Sequence, residues 1–326
     1  MLLAFSAIIF GLILLVWSAD KFVEGATSLA HHLGVSPLII GITIIGFGTS
    51  APEILVSIVA VVEGTPDIAI GNALGSNIAN IGLILGVTAF ITPIPIAKGL
   101  FRREYPLLVI ATVLLTLCLI DGSLDQIDGL TLLLVLAAIL IYLIKSHQND
   151  RKKNDIEDKL AEAIPENITL ISAIIWSLVG LTALVGSSKI LVWGATDIAQ
   201  ALGVSELIIG LTVIALGTSL PELAASIVSL KKGVPDMAIG NIIGSNLFNS
   251  LAVIGLPALV TDFSINTHAV TRDLPVVVGL TILLFCFSFF PTSPNQSLSR
   301  LKGLCLLCCF VIYQLYLYYG VMVGNI

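Results

Sequence analysis

Gly46-Phe47-Gly48-Thr49-Ser50-Ala51-Pro52-Glu53 interrupts an otherwise apolar run with a proline and a carboxylate. The segment returns 169 residues later as Ala215-Leu216-Gly217-Thr218-Ser219-Leu220-Pro221-Glu222. A proline four residues after a glycine has no N–H to offer that glycine's carbonyl, and its ring presses on the same oxygen. Pro52 and Pro221 are therefore each expected to loosen a helix beside a charged group. Threonine and glutamate four residues apart share one helix face. Each motif thus gathers hydroxyls (Thr49 and Ser50, or Thr218 and Ser219), a carboxylate (Glu53 or Glu222) and freed carbonyls on one side.

The similarity extends well beyond the motif. Residues 37–87 align with 206–256 without a gap at the same offset, with 26 identities in 51 positions, which is internal duplication rather than shared composition. A second motif follows in each copy: Gly71-Asn72-Ala73-Leu74-Gly75-Ser76-Asn77 with Asn80, and Gly240-Asn241-Ile242-Ile243-Gly244-Ser245-Asn246 with Asn249. Asn72, Ser76 and Asn80 recur every four residues as one polar stripe, while Gly71 and Gly75 let a neighbouring helix come close. Asn77 and Asn246 point away from the stripe and read as amides that join helices.

The chain is 57% hydrophobic and 11% charged, with a mean hydropathy of +1.06, too apolar for a soluble core of 326 residues. An all-α integral membrane protein is expected, with ten transmembrane helices at about 20 residues each. The apolar stretches are 2–30, 37–62, 67–91, 105–120, 127–145, 169–201, 206–230, 236–260, 273–290 and 300–320. The first lacks a basic start and a small-residue cleavage site and reads as a retained span rather than a signal peptide. Five spans per copy is an odd number, so the two five-helix repeats, 1–145 and 169–326, are expected to be inverted relative to one another. Between them, 146–168 reads as a charged linker, with a short helix near Ile156–Ala163. Its residues Ser146 to Asn167 carry ten charges of both signs among 22 positions.

Lysine and arginine placement orients the bundle. Connections after spans 3, 5, 7 and 9 carry twelve of these residues, whereas those after spans 2, 4, 6 and 8 carry only Arg272. The basic connections should face the cytoplasm, leaving both termini outside. The net charge of −6 carries no implication of nucleic-acid binding. All five cysteines fall inside spans and read as small apolar filler, with no disulfide or metal role.

A carboxylate near the bilayer centre costs at least about 2.5–3.5 kcal/mol, so Glu53 and Glu222 must be protonated, paired with a cation, or both by turns. Inverted repeats bring corresponding breaks together at the midplane. Two carboxylates, four hydroxyls, several amides and freed carbonyls would then surround one cavity. Such an all-oxygen set suits a hard cation such as Ca²⁺, and two glutamates neutralise one divalent ion.

The doubled Gly-Thr-Ser-x-Pro-Glu and Gly-Asn-x-x-Gly-Ser-Asn motifs resemble the α-repeats of the cation/Ca²⁺ exchanger superfamily, in particular the prokaryotic sodium/calcium exchangers. The resemblance covers the whole ten-span plan. It implies a secondary antiporter of the cell (inner) membrane that expels Ca²⁺ against entering Na⁺, with these ions as cargo and no prosthetic group. By that resemblance Glu53 and Glu222 are the central ligands, and Thr49, Ser50, Thr218 and Ser219 line sodium sites. Ser76, Asn80, Ser245 and Asn249 complete the cavity, and the Gly46 and Ala215 carbonyls are further ligands. Some members carry aspartate where this chain has Asn249, which leaves stoichiometry and ion preference open. Proton-coupled members carry an additional acid in the helix that here holds Ala73, Leu74, Ile242 and Ile243, which favours sodium.

H⁺- or K⁺-coupled exchange remains the alternative, followed by a cation channel. An intramembrane hydrolase would need a His–Ser pair or a metal-ligand set inside the spans, so no enzymatic activity is expected. Beyond the lipid bilayer and the transported ions no partner is implied, and a monomer is expected.

Overall fold

A computed structural model of the chain describes residues 1–95, 100–151, 168–203, 215–289 and 297–322. Among these, eight helices are long and apolar enough to cross a membrane. They are α1 (Leu2–Leu33), α2 (Pro37–Val62), α3 (Pro66–Ile91), α5 (Gln126–Arg151), α6 (Leu170–Ala201), α8 (Pro235–Val260), α9 (Leu274–Phe289, entered through a π turn at Ala269–Asp273) and α10 (Arg300–Met322). The other two expected spans correspond to α4 (Leu100–Leu119), which opens on Arg102, Arg103 and Glu104, and α7 (Leu220–Lys231), which is 12 residues long. The first part of the expected seventh span, residues 206–214, lies outside the described residues.

Local chemistry accounts for the helix ends. Ser36 and Thr169 cap α2 and α6 by accepting the backbone N–H three residues on. Pro66 and Pro235 open α3 and α8, where a missing N–H costs nothing, and Asp67 and Asp236 place a carboxylate in each first turn. Gly34 closes α1 in the left-handed conformation, φ 65°. α5 overruns the expected boundary at Lys145 and is helical as far as Arg151, the last described residue of that stretch, because nothing between the two, neither proline nor glycine, stops a helix. The remainder of the linker, 152–167, with its expected short helix, lies outside the described residues.

α8 is the centre of the bundle. Nearly all of it is buried, against α2, α3, α4, α5 and α7. α1 and α6, each 32 residues and about 48 Å long, pack mainly on one another and expose rows of large apolar side chains, including Leu3, Phe10, Ile13, Ile171 and Leu178. A soluble protein would not leave such a belt uncovered. At that length the two helices must tilt to fit a hydrocarbon core of about 30 Å.

Two short strand pairs tie the connections together. β1 (Ile94–Pro95) pairs antiparallel with β4 (Ser297–Leu298), joining the connections after α3 and α9. β2 (Ser123–Leu124) pairs with β3 (Phe263–Ser264), joining those after α4 and α8. α4, about 30 Å long, separates the two pairs. Near β3, the Asn266 N–H donates to the Asp67 carboxylate at 3.2 Å, and at a different connection His32 Nε2 lies 2.8 Å from the Ile168 carbonyl.

Candidate functional site

α2 and α8 approach each other at glycine. Gly41 and Gly46 of α2 face Gly240 and Gly244 of α8 so closely that a Cβ on any of the four would come within about 3 Å of the partner's backbone. This contact carries the first motif against the second Gly-Asn segment.

The same motif is built differently in the two halves. The sequence leads one to expect a break at each proline, yet the first copy stays α-helical from Gly46 to Val62, through Pro52. Its distortion lies one turn earlier, as a π turn at Gly41–Ile45. Pro52 still leaves the Gly48 carbonyl without its usual amide partner. The second copy does break: the helical turn described at Ala215–Thr218 ends at Ser219 (φ −89°, ψ 0°), and α7 restarts at Leu220 with Pro221 in its first turn. A proline there needs no N–H, so the interruption accommodates it without strain. α3 carries a further π turn at Ala79–Leu85, which contains Asn80, whereas the matching stretch of α8 is regular α-helix. Single π turns inside α-helices commonly mark functional positions.

The side chains converge on the bundle interior. Glu53 and Glu222 are 2% and 3% exposed, and Oε2 of each has no hydrogen-bond partner. Thr49 Oγ lies 3.0 Å from the Ile45 carbonyl oxygen, 3.4 Å from that of Gly46, 3.3 Å from Ser245 Oγ and 3.3 Å from Asn241 Oδ1. Ser50 Oγ, Asn80 Nδ2 and Asn249 Oδ1 are buried and unpartnered. Unsatisfied polar atoms at this depth are costly, and a set of them in one region requires an account. Ser219 is buried at the helix interruption. Thr218 and Ser76 line a cavity of about 240 Å³ together with Asn72, Arg272, Asp273 and Tyr313. Ala215 is the first described residue of the helical turn before the break.

Several residues at the site escape a reading of motifs alone. Asn72 Nδ2 donates to the Glu53 carbonyl at 3.2 Å and to Ser57 Oγ at 3.0 Å; Asn241 Nδ2 donates to the Glu222 carbonyl at 3.1 Å and to Ser226 Oγ at 2.9 Å. Ser57 and Ser226 stand four residues after their glutamates at the common offset, so the signal was present in the duplication. Arg272 grips Asp273 through two hydrogen bonds, 2.6 and 2.9 Å, and Tyr313 donates to the same carboxylate at 2.8 Å. That contact joins elements distant in the chain. Asn77 Nδ2 donates to Ser250 Oγ at 2.9 Å, tying α3 to α8, while Asn246 bonds within its own helix to the Ile242 carbonyl.

The arrangement is an oxygen-rich, acidic, buried site in a multi-pass membrane protein, suited to a desolvated cation. Comparison with known proteins agrees in kind. The sodium/calcium exchanger protein family matches residues 3–145 and 172–319. The putative antiporter CaxA of Alkalimonas amylolytica is 42% identical over 318 residues, covering 98% of this chain and 99% of that one. The sodium/calcium exchanger MaX1 of Methanosarcina acetivorans is 30% identical over 349 residues, covering 97% and 98%. The solved structure of the sodium-calcium exchanger NCX_Mj, soaked with zero Na⁺ and Ca²⁺, superposes with a TM-score of 0.80 at 31% identity, over 95% of this chain and 97% of that one.

Proposed function

The chain belongs to the sodium/calcium exchanger protein family, a family of cation/Ca²⁺ antiporters rather than enzymes, and from that premise we propose that it exchanges Ca²⁺ for Na⁺ across the cytoplasmic membrane. The observation that carries this reading is the buried pair Glu53 and Glu222, each with an unpartnered carboxylate oxygen amid buried hydroxyl and amide oxygens. Two carboxylates balance one divalent ion, and Ca²⁺ takes six to eight oxygen ligands of the kinds present here. The ligand set we assign is Glu53, Glu222, Thr49, Ser50, Thr218, Ser219, Ser76, Asn80, Ser245 and Asn249, with the Gly46 and Ala215 carbonyls.

Coupling follows from electrostatics. With the cavity empty, two like charges stand desolvated side by side, which disfavours enclosing them away from water; one Ca²⁺, or Na⁺ ions in its place, removes that penalty. The loaded protein can then change the side to which the cavity opens, and competition for the same oxygens links one ion's movement to the other's.

The proposed architecture is two inverted five-helix repeats, 1–145 and 169–326, joined by a cytoplasmic linker at 146–168. In its support, β1 with β4 joins two connections expected inside, and β2 with β3 joins two expected outside. Both motifs lie on one chain, so the site is complete in a monomer.

The deciding experiment is ⁴⁵Ca²⁺ uptake into proteoliposomes loaded with Na⁺. Uphill accumulation that collapses when the Na⁺ gradient is dissipated is expected. Uptake driven equally by a proton or potassium gradient would replace Na⁺ as the coupling ion, and purely downhill flux would mean a channel.

A further inference from the structure

Asn241 makes polar contacts to both motifs, and nothing in a cation-ligand set accounts for it. It is fully buried. Its Nδ2 faces the Glu222 backbone carbonyl at 3.1 Å and Ser226 Oγ at 2.9 Å. A backbone carbonyl can only accept, so this contact fixes which end of the amide is nitrogen. Oδ1 must then face the other way, where Thr49 Oγ stands 3.3 Å off. One side chain thus holds the turn that carries the second carboxylate while facing the hydroxyl of the first motif, 192 residues away in the chain.

That geometry meets a specific chemical need. Thr49 has one hydroxyl hydrogen and several acceptors in reach: the Ile45 carbonyl at 3.0 Å, the Gly46 carbonyl at 3.4 Å, Ser245 Oγ at 3.3 Å and Asn241 Oδ1 at 3.3 Å. A hydroxyl oxygen that ligates a cation must turn its hydrogen away from the ion, so it needs an acceptor on its far side. We infer that Asn241 is a positioning residue for the ion site: Nδ2 fixes the Glu222 turn, and Oδ1 offers the Thr49 hydrogen an acceptor from the opposite repeat, so that one amide sets both the second carboxylate and the lone pairs that Thr49 turns to a cation. The inference rests on the proposed ion site. Asn72 repeats the donor half of the arrangement in the first copy, to the Glu53 carbonyl and Ser57 Oγ. Placing a donor from the next helix on the glutamate carbonyl is therefore a feature of both halves.

The test uses the full-length chain in proteoliposomes and in detergent. Asn241→Ala should raise the half-saturating Ca²⁺ and Na⁺ concentrations about tenfold while changing maximal flux less than threefold, and should reduce the rise in melting temperature produced by Ca²⁺. Ser226→Ala, which removes one anchor and leaves Asn241 in place, should shift half-saturation in the same direction by a smaller factor. If Asn241→Ala lowers the ion-free melting temperature but leaves both half-saturation and the Ca²⁺-induced rise unchanged, the residue is structural and the inference fails. Should Asn241→Ala not accumulate in membranes, wild-type half-saturation in Ser226→Ala overturns it equally. Absence of Na⁺-driven flux in the unmodified chain would instead refute the proposed exchange, and the Ca²⁺-induced melting shift would still decide the role of Asn241.

Discussion

Gly244 lies so near Ile42 that a Cβ on the glycine would stand 2.3 Å from the Ile42 carbonyl oxygen. No rotamer relieves that overlap, because the backbone fixes the position of a Cβ and the oxygen it meets is itself backbone. Gly244→Ala must push α2 from α8, and with it Thr49 from Ser245, which now sit 3.3 Å apart. Overpacking of this kind costs about 1–3 kcal/mol, and the displaced oxygens should also weaken ion binding. A lower melting temperature and weaker Ca²⁺ stabilisation are expected for Gly244→Ala. Gly279→Ala is the control, since a Cβ at exposed Gly279 meets nothing within 4 Å; equal losses in the two variants would contradict the packing argument.

Glu53→Gln and Glu222→Gln keep the shape of each side chain and remove its charge. A cavity with one carboxylate no longer balances a divalent ion, so each single variant should lose at least about 99% of Na⁺-dependent Ca²⁺ flux. Neither change leaves a charge buried without its partner, so both proteins should insert and purify normally. Robust exchange in either variant would remove that glutamate from the site.

The strand pairs give the topology a direct check. Ser297 and Ser264 lie in β4 and β3, on the connections after α9 and α8. In a chain whose five native cysteines are replaced by alanine, Ser297→Cys should react only with thiol reagents that reach the cytoplasm. Ser264→Cys should react only with reagents applied outside. Labelling of both from one side would rule out the single crossing by α9 on which the inverted repeat depends.

What the sequence disclosed was whatever is periodic or duplicated. The offset of 169 residues located Glu53 and Glu222, the hydroxyls before them and the Asn-Ser-Asn stripes, because a duplicated gene marks paired positions without any knowledge of their contacts. It concealed what differs between the copies. Pro52 and Pro221 are identical in type and spacing, yet one lies inside a continuous helix behind a π turn and the other starts a new helix after Ser219. That choice depends on packing of each copy against unlike neighbours. The hold of Tyr313 on Asp273 was equally hidden, since it joins residues 40 positions apart on separate helices. Asn241 lay between the two cases: its repeat in Asn72 was visible, but the direction of its amide was not.

Asn249 offers the last test, because the proposed ion site sets an amide there beside two carboxylates. It is 1% exposed, and its Oδ1 has no hydrogen-bond partner, so a carboxylate in its place would gain no compensating donor from the protein. Asn249→Asp would add a third negative charge of nearly the same shape. A desolvated charge must be offset, and one Ca²⁺ offsets only two, so a further monovalent cation has to accompany each Ca²⁺ into the occluded cavity. If a proton fills that role, Ca²⁺ flux in the variant acquires a dependence on pH between about 5 and 8 that the unmodified chain lacks. If sodium does, flux acquires a steeper dependence on Na⁺ at fixed pH. Flux measured against pH and against Na⁺ on both sides of the vesicle separates the two. Superimposable profiles for Asn249→Asp and the unmodified chain would place Asn249 outside the ion cavity, among the amides that join helices, as Asn77 joins α3 to Ser250.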